Sequence, residues 1–406
     1  MTPLCETFLT KAQLNHMERY YPLRVYVCDR CFLVQLQEYV SPQEIFSSEY
    51  PYFASYSDSW LRHAKAYTDL VTDRFNLSSR SQVVEIASND GYLLQYFMER
   101  GIPVLGVEPA RNVARVAIEN GIPTVVKFFG CDTARELLGS GKQADLLLGN
   151  NVLAHVPQLN DFVEGLKILL KPTGVITMEF PHLAQLIAKN QFDTMYHEHF
   201  SYLSFHTVEK VFAAHGLTLF DVDELPSHGG SLRIYARHTQ DTSRPISKKV
   251  LELRMQEEIA GLTTLEPYAS FSEQVPVTKR KLLTFLIDAK GAGKSIVGYG
   301  APGKGNTLLN YCGIRTDFLE YVVDRNPVKH GKYTPGTHIP IYPVERIRET
   351  KPDYVLILPW NLKKEVMAQL NYIQEWGGAF VVPIPEVTVV RNVDQEISTG
   401  DRMSER

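Results

Sequence analysis

From residue 83 the chain alternates short apolar runs with amphipathic stretches. The runs 83–87, 104–107, 124–126, 144–148 and 174–180 are apolar and rich in β-formers, which predicts strands. Between them 92–100, 113–120 and 161–170 repeat their apolar positions at helical spacing, which predicts helices. Repeated βα units of this kind build a parallel sheet with helices on both faces. Ligands of such sheets bind beyond the carboxyl ends of the strands, near the reversal of strand order. Polar residues that directly follow a strand therefore carry the first functional weight.

Upstream, residues 1–45 read as a small irregular unit. Its run Arg24-Val-Tyr-Val-Cys28-Asp-Arg-Cys31-Phe-Leu-Val-Gln-Leu36 predicts strand, tight turn, strand, with Cys28 and Cys31 presented as two thiols of a zinc-ribbon knuckle. A knuckle is half of a tetrahedral site, Cys5 stands alone upstream, and His16 falls in an expected helix, so structural cysteines without metal are the favoured reading. Next, Trp60, Ala64, Tyr67, Val71 and Phe75 recur at helical spacing, while Tyr50, Tyr52, Phe53 and Tyr56 crowd the preceding loop. The stripe is expected in the core and the tyrosines near a ligand. A helical, Lys- and Glu-rich stretch 247–291 leads to a second α/β cycle with strands 295–298, 321–323 and 354–358. The expected division is 1–45, 46–240, 241–391 and a charged tail 392–406 that reads as disordered.

Composition narrows the class. At 406 residues two or three domains are expected, and Lys+Arg 42 against Asp+Glu 46 gives a net charge of -4. No broad cationic field exists for a nucleic acid. No run approaches the ~20 apolar residues of a membrane span, and the first residues lack a basic head with an apolar run behind it. The five cysteines are odd in number and scattered, apart from one pair, which argues against a disulfide framework and for a reducing, cytoplasmic setting.

The chemistry collects in four places. The strand holding Glu85 runs into Ser88-Asn89-Asp90-Gly91, and Glu108 ends the next strand. One glycine disfavours a dinucleotide fingerprint. A loop with acids at two strand ends suits S-adenosylmethionine (SAM): Glu85 or Asp90 meets its amino group, Gly91 admits the methionine portion and Glu108 holds the ribose. Phe128 or Phe129 offers a face for adenine, the other being core. The fourth strand ends in Asn150 and Asn151, with His155 just beyond, a second polar wall at the same edge.

The densest segment is Tyr196-His197-Glu198-His199. A phenol, a carboxylate and two imidazoles in four residues are costly to bury without a task. Alternation along an extended segment puts His197 and His199 on one side, unlike a helical zinc motif. In an acid/base reading His199 removes a proton, Glu198 orients it and Tyr196 donates to a developing oxyanion. Finally, Gly298-Tyr-Gly300-Ala-Pro-Gly303-Lys304-Gly305 satisfies G-x-G-x-x-G, and Asp324 ends the following strand as a ribose acid would. Gly305 stands where a P-loop needs Ser or Thr, which disfavours NTP hydrolysis. A nucleotide or diphosphate contact and a turn serving only helix–sheet packing remain alternatives here.

Taken in order, these motifs resemble those of the three-domain SAM-dependent C-methyltransferases that act on nucleotide-linked 4-keto-deoxysugars in antibiotic and polysaccharide pathways. The likeness spans nearly the whole chain and also includes Ser227-His228-Gly-Gly-Ser-Leu-Arg233. It implies a Rossmann-like SAM domain in the middle, a zinc-ribbon-like unit before it, a second Rossmann-like domain after it, and a monomer. It also implies a sugar nucleotide, expected to be dTDP-linked, bound between domains. Tyr50, His155, Tyr196, Glu198 and His199 then surround the sugar with His199 as base, and His197, His228, Gly300, Lys304 and Asp324 are further substrate contacts. Family members begin with a C-x-x-C pair that completes a Cys₄ zinc site. That pair is missing from this sequence, where Thr2-Pro3-Leu4 aligns with the linker behind the pair, so zinc is the less favoured expectation. The rival expectations are an NAD(P)-dependent sugar-nucleotide oxidoreductase using the second fingerprint, and a non-catalytic SAM or sugar-nucleotide binder.

Overall fold

The computed structural model describes residues 1–46 and 50–391, so the charged tail lies outside the described residues. Contacts divide the chain into two compact units that do not follow chain order. The larger comprises Val25–Gln185 and Glu198–Pro267, and the other comprises Met1–Arg24, Leu186–His197 and the chain from Tyr268 onward.

In the larger unit the strands are β1 (Val25–Val27), β2 (Val34–Leu36), β3 (Val83–Ile86), β4 (Val104–Val107), β5 (Thr124–Val125), β6 (Ala144–Asn150), β7 (Leu170–Pro181), β8 (Ser201–Tyr202), β9 (Leu217–Leu225) and β10 (Ser231–His238). Seven form one sheet in the order β5-β4-β3-β6-β7-β10-β9. The pairs from β5 to β7 are parallel, whereas β10 runs antiparallel to β7 and β9. Strand order reverses between β3 and β6, which makes their carboxyl ends the switch point.

The apolar runs are continuous because both faces of these strands are covered. Val84, Ile86 and Leu147 pack on one side with Phe162, Val163 and Leu166 of the helix Leu159–Leu169. Val83, Leu146 and Leu148 pack on the other with Ala64, Tyr67 and Val71 of the helix Asp58–Arg74. That second helix starts where Ser57 accepts the Trp60 N–H, and it carries Asp58 in its first turn and Arg74 in its last, in line with its dipole. The knuckle forms as a hairpin, Val27 opposite Val34, and β8 joins β2 as a third strand.

Sequence patterning missed β9, β10 and the helices Cys131–Gly139 and Phe205–Ala214. The helical stretch expected over 247–291 is formed by two helices, Lys248–Ile259 and Glu266–Gly291, separated by a turn at Gly261 with φ +76°. His16 follows a single 3₁₀ turn, Gln13–Asn15, rather than lying in a helix.

The other unit holds a six-stranded sheet of β11 (Ile296–Tyr299), β12 (Val322–Val323), β13 (Ile341–Tyr342), β14 (Tyr354–Ile357), β15 (Ala379–Val382) and β16 (Thr388–Val390), ordered β13-β12-β11-β14-β15-β16. All pairs are parallel except β15–β16. The helix Gly303–Cys312 follows β11 and ends on Gly313 in the left-handed region, φ +75°. Among the described residues no helix is long and apolar enough to cross a membrane.

Candidate functional site

At the carboxyl edge of β3 the backbone turns through Ala87 (φ +57°), Asn89 (φ +51°) and Gly91 (φ +82°). At Gly91 this positive φ favours glycine, and an added Cβ would also lie 2.1 Å from Ile122 Cδ1. The loop is tied to the aromatic segment: Asn89 Oδ1 accepts the Ala54 N–H at 2.8 Å, and Asp90 Oδ2 accepts the Ser55 N–H at 3.2 Å. Glu108 accepts the Asn89 N–H at 3.0 Å and the Ala110 N–H at 2.8 Å. Its burial, only partly offset by those bonds, raises the carboxyl to about 7.

Glu85, Ser88, Asn89 and Asp90 are all buried, and both Glu85 oxygens, Ser88 Oγ and Asp90 Oδ1 lack a hydrogen bond of good geometry. Burial pushes the Glu85 carboxyl well above the usual range; Tyr92 eases it, and the charges of Asp90 and Glu108 push it further. Desolvated acceptors with spare capacity call for a cationic, donor-rich ligand. Asn150 reaches the Tyr92 hydroxyl at 3.4 Å, and the Asn151 side chain reaches His228 at 3.4 Å. Phe129 packs edge-on against Phe162 at 5.4 Å at the margin of the core, whereas Phe128 is exposed.

Beyond β6, His155 and His199 meet edge to face at 4.7 Å. Burial lowers the His155 ring to about 4, against a hydrogen bond to the Glu198 main chain that raises it. His155 is therefore neutral at pH 7. Tyr50 donates to Glu198 Oε2 at 3.3 Å, and Phe46 bridges the rings of Tyr50 and His155 at 5.3 and 5.7 Å. Tyr50 is itself fixed by its carbonyl, which accepts from Asn112 at 2.8 Å.

Sequence reading missed a neighbouring network. Glu179, near the end of β7, accepts from Arg233 at 2.6 Å and Ser227 at 2.7 Å, and lies 2.9 Å from His63. His63 stacks on Trp60 at 4.8 Å, and Trp60 meets His228 edge-on at 5.1 Å. His228 is held at φ +53°, a conformation that needs support from its surroundings. The strand-end position of Glu179, the same signal that singled out Glu108, was the available clue.

In the other unit His197 Nε2 lies 3.0 Å from the Pro22 carbonyl, and its ring meets Tyr21 at 5.9 Å. The glycine-rich loop of that unit is engaged internally. Asp324 Oδ2 accepts the Ala301 N–H at 2.8 Å and Oδ1 accepts the Asn326 N–H at 2.8 Å. Gly300 needs its φ of +83° and lies against Pro359, and Lys304 donates to Asn361 at 2.8 Å.

At the knuckle the Cys28 thiol is lowered by main-chain N–H groups of Cys31 and Arg30, the half-site a metal would use. Among the described residues no group of three or more His, Cys, Asp and Glu side chains converges to hold a metal. Among the described residues, none completes a zinc site with Cys28 and Cys31.

A doubly wound sheet closed by an antiparallel pair, with buried acids at the carboxyl ends of β3 and β4, is the arrangement of a SAM-dependent methyltransferase. Family models match in three stretches: "Putative zinc binding domain" over residues 1–46, a methyltransferase domain over 59–222, and a C-methyltransferase C-terminal domain over 226–385. The C-methyltransferase NovU of Streptomyces niveus is 34% identical over 389 residues, 96% of this chain and 92% of that protein. The chain belongs to this family of SAM-dependent C-methyltransferases. Two solved structures are also similar. One is a SAM-dependent methyltransferase from Anabaena variabilis, 13% identical over 48% of this chain and 91% of that one, TM-score 0.38. The other is the magnesium protoporphyrin IX methyltransferase of Synechocystis with bound SAM, 13% identical over 44% and 81%, TM-score 0.33.

Proposed function

We propose that this enzyme methylates carbon 3 of a nucleotide-linked 4-keto-deoxysugar through an enolate generated by His199. The observation that carries the reading is the pairing of His199 with a neutral His155 at the carboxyl edge of the SAM-type sheet, beside a Glu198 held by Tyr50.

SAM, when bound, supplies an electrophilic methyl on sulfonium. Glu85 and Asp90 would take its ammonium, Glu108 its ribose, Phe128 its adenine, and Asn150 and Asn151 flank the methionine portion. The unsatisfied oxygens of Glu85, Ser88 and Asp90 fit such a ligand. A ketone at C4 acidifies the C3 hydrogen. His199 takes that proton and the C–H electron pair moves into the enolate, leaving C3 nucleophilic toward the methyl that bound SAM would supply, with sulfur keeping the electron pair of the bond that would break.

Tyr196 is the donor we propose for the enolate oxygen. His155 holds its ring nitrogen on the Glu198 main chain and puts no like charge beside His199 when the latter becomes protonated. The aromatic residues Phe46 and Tyr50 exclude water from the base. We propose a monomer acting on a dTDP-linked sugar, with His228 beside Asn151 among its contacts. Incubation of the purified chain with SAM and a panel of dTDP-4-keto sugars, read by mass spectrometry and carbon NMR, tests this. Methylation at oxygen, or at a carbon other than C3, sinks it.

A further inference from the structure

The fingerprint 298–305 remains, a motif whose usual work is to cradle phosphate. Three of its glycines are explained by packing. A Cβ on Gly298 would lie 2.6 Å from Val322 Cγ1, one on Gly300 2.6 Å from Pro359 Cδ, and one on Gly305 2.8 Å from Leu358 Cβ. Gly303 is different, because the atoms around its open side come from elsewhere in the chain: Cys5 Sγ at 2.9 Å, Glu6 Oε1 at 3.2 Å and the Tyr196 ring at Cζ, 3.6 Å.

The groups that would greet a phosphate are already committed. Glu6 accepts the Gly303 N–H, so a carboxylate of the chain itself sits at the start of the helix. Lys329 pairs with Glu6 at 3.7 Å and donates to the Ala301 carbonyl at 2.8 Å. Lys304 turns to Asn361 and lies over the Trp360 ring at 4.8 Å.

Trp360, the ring under Lys304, reaches on to Asp193, in the 3₁₀ turn Phe192–Thr194 that leads to Tyr196. Asp193 is fully buried and accepts the Trp360 Nε1–H at 2.7 Å. Burial raises its carboxyl to about 7, with Lys304 the main opposing influence, and burial lowers Lys304 to about 8. Phe192 in the same turn packs edge-on against Tyr311 of the helix Gly303–Cys312, at 5.2 Å. The turn is thus pinned at two places, to that helix through Tyr311 and to Trp360 through Asp193, and the Tyr196 ring lies beside Gly303.

We propose that this loop is a seat for Tyr196, with Lys304 acting through Trp360 and Asp193 as a positioning residue. This rests on the reading of Tyr196 as the oxyanion donor. Loss of the Lys304 charge lets Asp193 take up a proton, weakens its hold on Trp360 and frees the turn that aims the phenol.

The experiment uses the full chain labelled with 3-fluorotyrosine, its Tyr196 fluorine resonance identified as the one missing from Tyr196→Phe. In Lys304→Met that resonance moves or broadens, and kcat falls about 10- to 100-fold while KM for the dTDP-4-keto sugar and SAM affinity stay within about 2-fold. Adding Lys304→Met to Tyr196→Phe lowers turnover by less than about 2-fold, because the two act as one unit. Asp193→Asn gives the same pattern and serves if Lys304→Met does not fold. An unmoved resonance overturns the seat, and so does a raised KM for the sugar nucleotide at unchanged kcat, which marks Lys304 as a phosphate ligand. Wild-type turnover by Tyr196→Phe instead sinks the oxyanion role, and the resonance still decides whether the seat exists.

Discussion

His155 and His199 stand edge to face, ring centroids 4.7 Å apart and planes at 75°. With His155 lowered to about 4 by burial, the pair carries no standing positive charge from that member at neutral pH. A base beside a neutral ring accepts a proton without like-charge repulsion. Replacing His199 by Asn keeps shape but removes the basic nitrogen, so turnover falls about 10²- to 10⁴-fold while SAM affinity holds. With S-adenosylhomocysteine in place of SAM, the wild-type enzyme exchanges the substrate C3 hydrogen with deuterated solvent and His199→Asn does not. Retention of both activities at wild-type rates transfers the base role to another group.

The acids around the SAM loop predict proton release. Glu108 is raised to about 7 and Glu85 well above the usual range, both by burial first. In the ligand-free fold a raised carboxyl adds stability below its unfolded value, and that contribution is lost as pH rises through about 7. A cation in the site reverses the preference and favours the charged carboxylates. SAM binding at pH 6.5 should therefore expel protons and weaken as pH falls, which calorimetry in buffers of different ionisation enthalpy reads directly. Glu108→Gln should lose about 1.5 to 3 kcal/mol of SAM binding and part of the proton release. Identical heats in all buffers refute the assignment.

Burial and sequence distance decide how much of this was legible in the sequence. β3, β4 and β6 declared themselves as apolar runs because both faces are covered. β9 and β10 did not, since Asp221, Arg233 and Arg237 interrupt the apolar pattern yet are buried, with Asp221 paired to Arg74 at 2.5 Å. Glu85 and Glu108 were visible from strand-end position alone. The Glu179 network was not: its partners His63 and Arg233 lie 116 and 54 residues away. The surroundings of Lys304 were not legible either, since its motif suits a phosphate while its side chain donates to Asn361 and lies over the Trp360 ring.

The knuckle predicts a metal content. Cys28 and Cys31 supply two ligands, and among the described residues no third joins them. The purified chain should carry well under one zinc per molecule, and chelation should leave its melting temperature and methylation rate unchanged. Stoichiometric zinc by elemental analysis overturns this and directs the search for ligands to Cys5 and His16.

The last prediction concerns the ion pair that underlies the His228 turn. Burial pushes the Glu179 carboxyl up, yet His63, Arg233 and Ser227 together hold it at about 2. Because the folded value is depressed, the associated stability is present above the ordinary value of 4.5 and is lost as pH falls toward about 2. The shift corresponds to about 3 kcal/mol. Arg233→Met leaves a buried carboxylate without its main partner and should destabilise the protein at pH 7 by about 3 to 5 kcal/mol. The deficit should shrink as pH is lowered below 5, since protonation then relieves the orphaned charge. Combining Glu179→Gln with Arg233→Met should recover most of the loss, because a neutral pair has no charge to desolvate. Urea unfolding of the wild type, each single variant and the double variant at pH 7 and pH 4 measures all of these. Equal destabilisation by Arg233→Met at both pH values, with no recovery in the double variant, shows that Arg233 acts by packing on Tyr67, whose ring lies 4.5 Å from the guanidinium, and not by charge.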